Sequence, residues 1–244
     1  MLIRTDEART INTDSRLACT LAAVAGALNT AAFEIVGFFS ANMTGNVSSL
    51  SDHLAKANLQ AGVFFLSLVG LFIAGATCAT LIVNAGRRRG IRTIYAVNIF
   101  IEGVALMALG AVESWLMPAA SGVLLILSLS FLMGLQNAVV TRISNARVRT
   151  THVSGTATDI GIELAMLFDV LRRKASPKEA PLYLERPGLH FFTVTAFLVG
   201  GIAGIGMFHL LSYKFLILVG LGLVYLAVLT IVKNKLSPRP PVSP

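Results

Sequence analysis

The chain is short of charge. Asp, Glu, Lys and Arg make up 13% of its 244 residues, where an average soluble domain carries about 25%. An ordinary water-soluble globule is therefore excluded. Cysteine is nearly absent, and neither Cys19 nor Cys78 stands at metal-ligand spacing to a histidine. That excludes a disulfide scaffold and a structural zinc site, and leaves small apolar residues in helix packing. Also missing are HExxH, an acidic metal-binding run and any nucleophile–base arrangement. No catalytic residue, metal ligand or cofactor is expected. His152 and His209 are isolated in the sequence and take no metal role.

What fills the chain is apolar: 55% hydrophobic residues and a mean hydropathy of +0.75. A membrane-spanning helix needs roughly 20 mainly apolar residues. Six windows qualify: Leu17–Phe39, Ala61–Asn84, Ile91–Val112, Ala119–Val140, Leu189–Leu211 and Tyr213–Val232. In lipid the backbone must satisfy itself, as helices or as a closed barrel. Val123–Leu132 is continuously apolar and lacks the alternation of barrel strands. The expectation is an all-α integral membrane protein with six transmembrane helices. Arg4, Arg9 and Arg16 give the first window a basic flank, yet Asp6, Glu7 and Asp14 argue against a cleaved signal peptide.

The net charge of +8 is explained by position. Basic residues cluster at Arg87–Arg89 with Arg92, at Arg142, Arg147 and Arg149, at Arg172–Lys174 with Lys178 and Arg186, and at Lys233, Lys235 and Arg239. With the N-terminus inside, six spans bring every cluster to the cytoplasmic face, and only Lys56 and Lys214 fall outside. This is the positive-inside distribution. It predicts a multi-pass protein of the cell inner membrane with both termini cytoplasmic, its partner the lipid bilayer and not nucleic acid.

Two polar signatures interrupt the apolar pattern, Met43-Thr44-Gly45-Asn46 and Val153-Ser154-Gly155-Thr156. Each is preceded by Gly-x-x-Asn within a span, Gly26-Ala27-Leu28-Asn29 and Gly134-Leu135-Gln136-Asn137. Each is followed by a short stretch of helical periodicity, Val47–Ala57 and Ala157–Leu171, and then by two spans. Counting these stretches as full spans would move Arg87–Arg89 outside and expose Asp52, His53 and Lys56 to lipid.

Three spans per half is an odd number, so a repeat must invert. The expected organisation is two inverted three-helix repeats, each with a short re-entrant or interfacial helix. It places a cytoplasmic segment at 1–16, the first repeat at 17–112, an external loop at 113–118, the second repeat at 119–232 with a cytoplasmic loop at 141–188, and a tail at 233–244. Thr44 then falls at the outer face and Ser154 at the inner.

Inverted repeats with interrupted helices recur in secondary transporters, whose sites lie near the midplane. Glycine at a short-helix start permits close approach of a ligand, and free N–H groups there favour an anion or a carbonyl oxygen. The candidate substrate-binding residues are Asn29, Thr44, Gly45, Asn46, Asn137, Ser154, Gly155 and Thr156, with Glu102 as a carboxylate near the middle of the third window. The structural alternative makes Thr44 and Ser154 helix N-caps and the asparagines helix-to-helix glue. Thr156 and Asp159 have capping-box spacing. Gly200, Gly201, Gly204 and Gly206 lack a following Lys-Ser/Thr and are read as close-packing residues, within the bundle or in a homo-oligomer.

Gly26–Asn46 and Gly134–Thr156 resemble the YoaK-like family of bacterial integral membrane proteins of unknown function. The resemblance rests on Gly-x-x-Asn leading to Asn42-Met43-Thr44-Gly45-Asn46. It rests equally on Met133-Gly134-Leu135-Gln136-Asn137-Ala138 leading to Arg149-Thr150-Thr151-His152-Val153-Ser154-Gly155-Thr156. It covers the order of elements over most of the chain and implies six spans, with no substrate or reaction attached. The family commonly has Asp where this chain has Asn29, so a titratable group is missing here and with it the ground for proton coupling at that position. The function classes in play are a secondary transporter or exporter of a small polar solute, a non-transport scaffold or sensor presenting Arg142–Arg186, and a lipid-acting membrane enzyme.

Overall fold

Apolar runs of this length have one stable form in lipid, and the chain adopts it. The computed structural model describes residues 2–3, 11–116, 121–174 and 180–236. Among them are eight α-helices: α1 (Ile11–Val36), α2 (Met43–Ala55), α3 (Leu59–Arg88), α4 (Ile94–Ala111), α5 (Ser121–Ile143), α6 (Val153–Leu171), α7 (Ala180–Leu211) and α8 (Lys214–Leu236). A π-turn, Val112–Leu116, extends α4. No strand occurs among the described residues. Outside them fall Arg4, Asp6, Glu7, Arg9, Lys178, Arg239, the end of the expected external loop and the Pro-rich tail from Ser237. Arg186 lies in α7, with its side chain outside what is described.

Six helical stretches are long and apolar enough to cross a membrane: Asn12–Val36, Leu59–Arg88, Ile94–Trp115, Gly122–Ile143, Gly188–Leu211 and Lys214–Leu236. The chain is a multi-pass integral membrane protein. Large apolar side chains such as Leu81, Ile202, Leu210 and Tyr225 lie on the outside of the bundle, where lipid replaces water as their solvent. The first helix stops three residues short of its hydropathy window, because Gly37 takes φ +75° and turns the chain after Val36. The third runs on into Arg87 and Arg88, whose long side chains can reach past the apolar zone.

Small residues set the packing. A methyl at Gly26 of α1 would overlap the Phe197 carbonyl of α7, and one at Gly200 would overlap Ala23. In α3 and α5 the same occurs between Gly75 and Phe131 and between Gly134 and Phe72. Helix axes at these contacts therefore approach as closely as backbones allow, the small-residue mode of membrane packing. Hydroxyls add to it: Thr30 donates to the Gly201 carbonyl (3.0 Å) and Ser130 to the Leu68 carbonyl (2.8 Å). The registers run together, so α1 is parallel to α7 and α3 to α5. α4 crosses α8 in antiparallel sense, with Gly103 against Gly220. Gly204 packs on Ala27 as expected, whereas Gly206 faces open space.

With these directions, the starts of α1, α4 and α7 and the ends of α3, α5 and α8 share one end of the bundle. Arg87–Arg89, Arg142, Arg147, Arg172–Lys174, Lys233 and Lys235 all gather there, and Lys56 and Lys214 lie at the other. Two contacts tie the basic end together. Arg147 pairs with buried Asp14 at 3.1 Å, and Arg142 donates to the Asn84 amide oxygen at 2.7 Å.

Candidate functional site

The first signature is an ordered helix start. Asn42 is the N-cap of α2, its side-chain oxygen accepting from the Gly45 N–H at 3.1 Å. Thr44 is therefore not a cap. It is exposed in the first turn, and its carbonyl accepts from Ser48 at 3.0 Å. Gly45 leaves room for the cap: a methyl there would sit 2.7 Å from the Asn42 amide nitrogen. Asn46 is buried and reaches back to the Phe39 carbonyl at 3.4 Å. Asn29, buried on α1, accepts from the Ala41 N–H at 2.8 Å. It thus holds the segment that leads into α2, with Ser40 buried beside it.

The second signature has the same geometry with different chemistry. His152 is the N-cap residue of α6 and makes no side-chain cap bond. A methyl at Gly155 would lie 2.6 Å from its ring. Ser154 is exposed, and its carbonyl accepts from Thr158 at 3.1 Å. Thr156 sits inside the helix and donates to the His152 carbonyl at 2.9 Å, so the capping-box reading of Thr156 and Asp159 is wrong; Asp159 is exposed. A Thr hydroxyl already in a helical turn satisfies the carbonyl four residues back and cannot cap. The amide oxygen of Asn137 and the hydroxyl of Thr150 are buried without a hydrogen-bond partner. Asn137 is thus not tied to its signature as Asn29 is.

Both short helices therefore begin within their signatures, earlier than the periodicity of Val47–Ala57 and Ala157–Leu171 indicates. Each packs on the long helix that follows it. On α2, His53 stacks on Phe65 of α3 with ring centroids 5.4 Å apart. On α6, buried Glu163 meets His190 of α7 at 3.0 Å. The exposed Asp52 accepts a hydrogen bond from Lys56 at 2.8 Å, which holds its carboxyl below the usual carboxylate range.

Away from both signatures, Glu102 is fully buried at the middle of α4. Its Oε1 accepts from Gln136 Nε2 of α5 at 3.0 Å. Asn98, one turn earlier on the same face of α4, is also fully buried and donates to the Ile94 carbonyl at 3.0 Å. Gln136 and Asn98 were not singled out by sequence reasoning. The available signals were the four-residue spacing of Asn98 and Glu102 and the place of Gln136 inside the Gly-x-x-Asn motif. Glu34 of α1 lies 3.3 Å from His209 on parallel α7, so that histidine is not isolated in space. No group of three or more potential metal ligands occurs among the described residues.

A model of a family of proteins of unknown function, DUF1275, matches residues 17–229. The chain belongs to that family. The match reaches into all six membrane helices and covers both signatures, and it agrees with the resemblance to YoaK-like proteins seen in the motifs. No curated protein and no solved structure matches the chain. For this DUF1275 member, membership assigns no reaction.

Proposed function

We propose that the chain is a secondary transporter or exporter of a small polar solute, built as two inverted three-helix repeats in the cell inner membrane with both termini cytoplasmic. The observation that carries this reading is the bond between Glu102 and Gln136. It joins α4 of the first half to α5 of the second inside two membrane-spanning segments, and transporters of this plan hold their substrates near the midplane. A carboxylate and two amides buried at that depth are costly for a bundle that only packs.

Reciprocal packing supports the inverted repeat. Exchange the halves, and Gly26 on Phe197 becomes Gly134 on Phe72, while Gly200 on Ala23 becomes Gly75 on Phe131. The α2–α3 contact becomes α6–α7, and the α4–α8 crossing becomes itself. The basic end supports cytoplasmic termini through the positive-inside rule. In this reading α2 and α6 are gates at opposite faces. Asn29, Thr44, Gly45 and Asn46 serve the outer gate, and Asn137, Ser154, Gly155 and Thr156 the inner.

A ligand screen by thermal shift tests the reading on the purified full chain. A solute at a hundred times its Kd adds about 2.7 kcal/mol of apparent stability. A stabilising solute whose effect is lost in Gln136→Leu is the expected result, and a broad panel of small polar solutes with no stabilising member counts against transport.

A further inference from the structure

The polar groups on one face of α4, with Gln136 of α5, are unbalanced in kind. Glu102 Oε2, Gln136 Oε1 and Asn98 Oδ1 are all buried and all without a hydrogen-bond partner. Each is an acceptor in the arrangement shown, so a further buried acceptor would not complete them; a hydrogen-bond donor, a proton or a cation would.

Among the described residues, the surroundings supply no fixed cation. The elements that pack most on α4 are α3, α5, α8 and the π-turn. Between Leu59 and Gly86, between Gly122 and Thr141, and between Phe215 and Val232, the three helices contain no lysine, arginine or histidine. Their titratable side chains there are Cys78 and Tyr225, with Tyr95 on α4 itself and Glu113, another carboxyl, in the π-turn. The nearest fixed cations in sequence, Arg92, Arg87–Arg89, Arg142, Lys214 and Lys233, stand at or just beyond the helix ends. A carboxylate at this depth is neutralised or paired, because an isolated buried charge is too costly to hold.

We propose that Glu102, with Gln136 and Asn98, forms an exchangeable monovalent-cation site at mid-membrane, taking a proton on the carboxyl or an alkali cation among the three oxygens. The inference deepens the transport reading and rests on it for its physiological meaning: the exchanged cation is the coupling ion. The Gln136 amide anchors one carboxylate oxygen and leaves the other to the cation. Asn98 adds a neutral oxygen of the kind that hard cations prefer.

A hydrophobic carbodiimide tests this on the full chain in liposomes. It reacts with a protonated carboxyl: the acid proton moves to a carbodiimide nitrogen, the carboxyl oxygen bonds the central carbon, and the adduct rearranges to a stable N-acylurea. Peptide mapping by mass spectrometry of the unmutated protein locates it. The expected result is an adduct at Glu102 that increases as pH falls and disappears in Glu102→Gln. At fixed pH and ionic strength, suppression by sodium identifies an alkali-cation site, and indifference to sodium identifies a proton site. An unlabelled Glu102 at every pH while half-exposed Glu34 reacts would overturn the proposal, as would labelling independent of both pH and sodium. Labelling without solute flux retains the cation site and removes transport. Flux with an unlabelled Glu102 does the reverse.

Discussion

Gly26 of α1 meets the Phe197 carbonyl of α7 so closely that a methyl group would overlap it. The contact lies in the middle of a parallel helix pair held also by Thr30 on the Gly201 carbonyl. Gly26→Ala is therefore expected to push the helices apart and cost about 1–3 kcal/mol, the usual penalty of overpacking. Gly206→Ala, with open space around it, is the control. Denaturant titration of the detergent-solubilised protein checks the pair: a large loss for Gly26→Ala and little change for Gly206→Ala.

Asn29 and Ala41 give the second prediction. Removing the amide oxygen leaves a buried N–H without its acceptor, so Asn29→Leu is expected to cost about 1–3 kcal/mol. Asn29→Asp keeps an acceptor at the same place and is expected to stay within about 1 kcal/mol of the parent, since one good hydrogen bond contributes about that much. Equal losses for both variants, read from thermal unfolding, would show that the bond to Ala41 is not what Asn29 contributes.

At the basic end, Asp14 is buried while its partner Arg147 is 42% exposed. Arg147→Ala is expected to destabilise by about 2 kcal/mol, less than the loss of a fully buried partner because the arginine is itself partly solvated. Adding Asp14→Asn to that variant restores part of the loss. A double-mutant cycle reads the coupling, with about 0.5–3 kcal/mol expected for residues in contact.

The two short helices differ where the proposed repeat would align them: His53 on Phe65 in one, Glu163 with His190 in the other. If these positions are equivalent, Glu163→His combined with His190→Phe rebuilds the stack of the first half. The double variant is expected to be more stable than Glu163→His alone, by about the 0.5–1.5 kcal/mol of an aromatic pair. A double variant no better than the single one would speak against the alignment.

Much of the fold was legible because its signals are local. Six windows of spanning length gave six membrane helices, and the positions of the arginines foretold the basic end of the bundle. Boundaries were less legible. Asn42 starts α2 within the signature through a side-chain bond that no hydrophobic period records, and Gly37 ends α1 early. The site was legible only in part. Glu102 stands out as a lone carboxylate in an apolar run, but its partner Gln136 is on another helix, and pairing between helices leaves no period in the sequence. Thr44 and Ser154 drew attention as polar residues in a greasy chain, yet both are exposed and neither side chain caps its helix.

The measurement that bears most directly on transport is solute flux in proteoliposomes loaded with a broad panel of small polar solutes, comparing the parent chain with Glu102→Gln and with Thr44→Val and Ser154→Ala. Transport predicts that at least one solute moves faster than in empty liposomes, and that Glu102→Gln slows it while folded protein still reaches the membrane. Folded, inserted protein that moves no solute in the panel, or flux that all three substitutions leave unchanged, would contradict it.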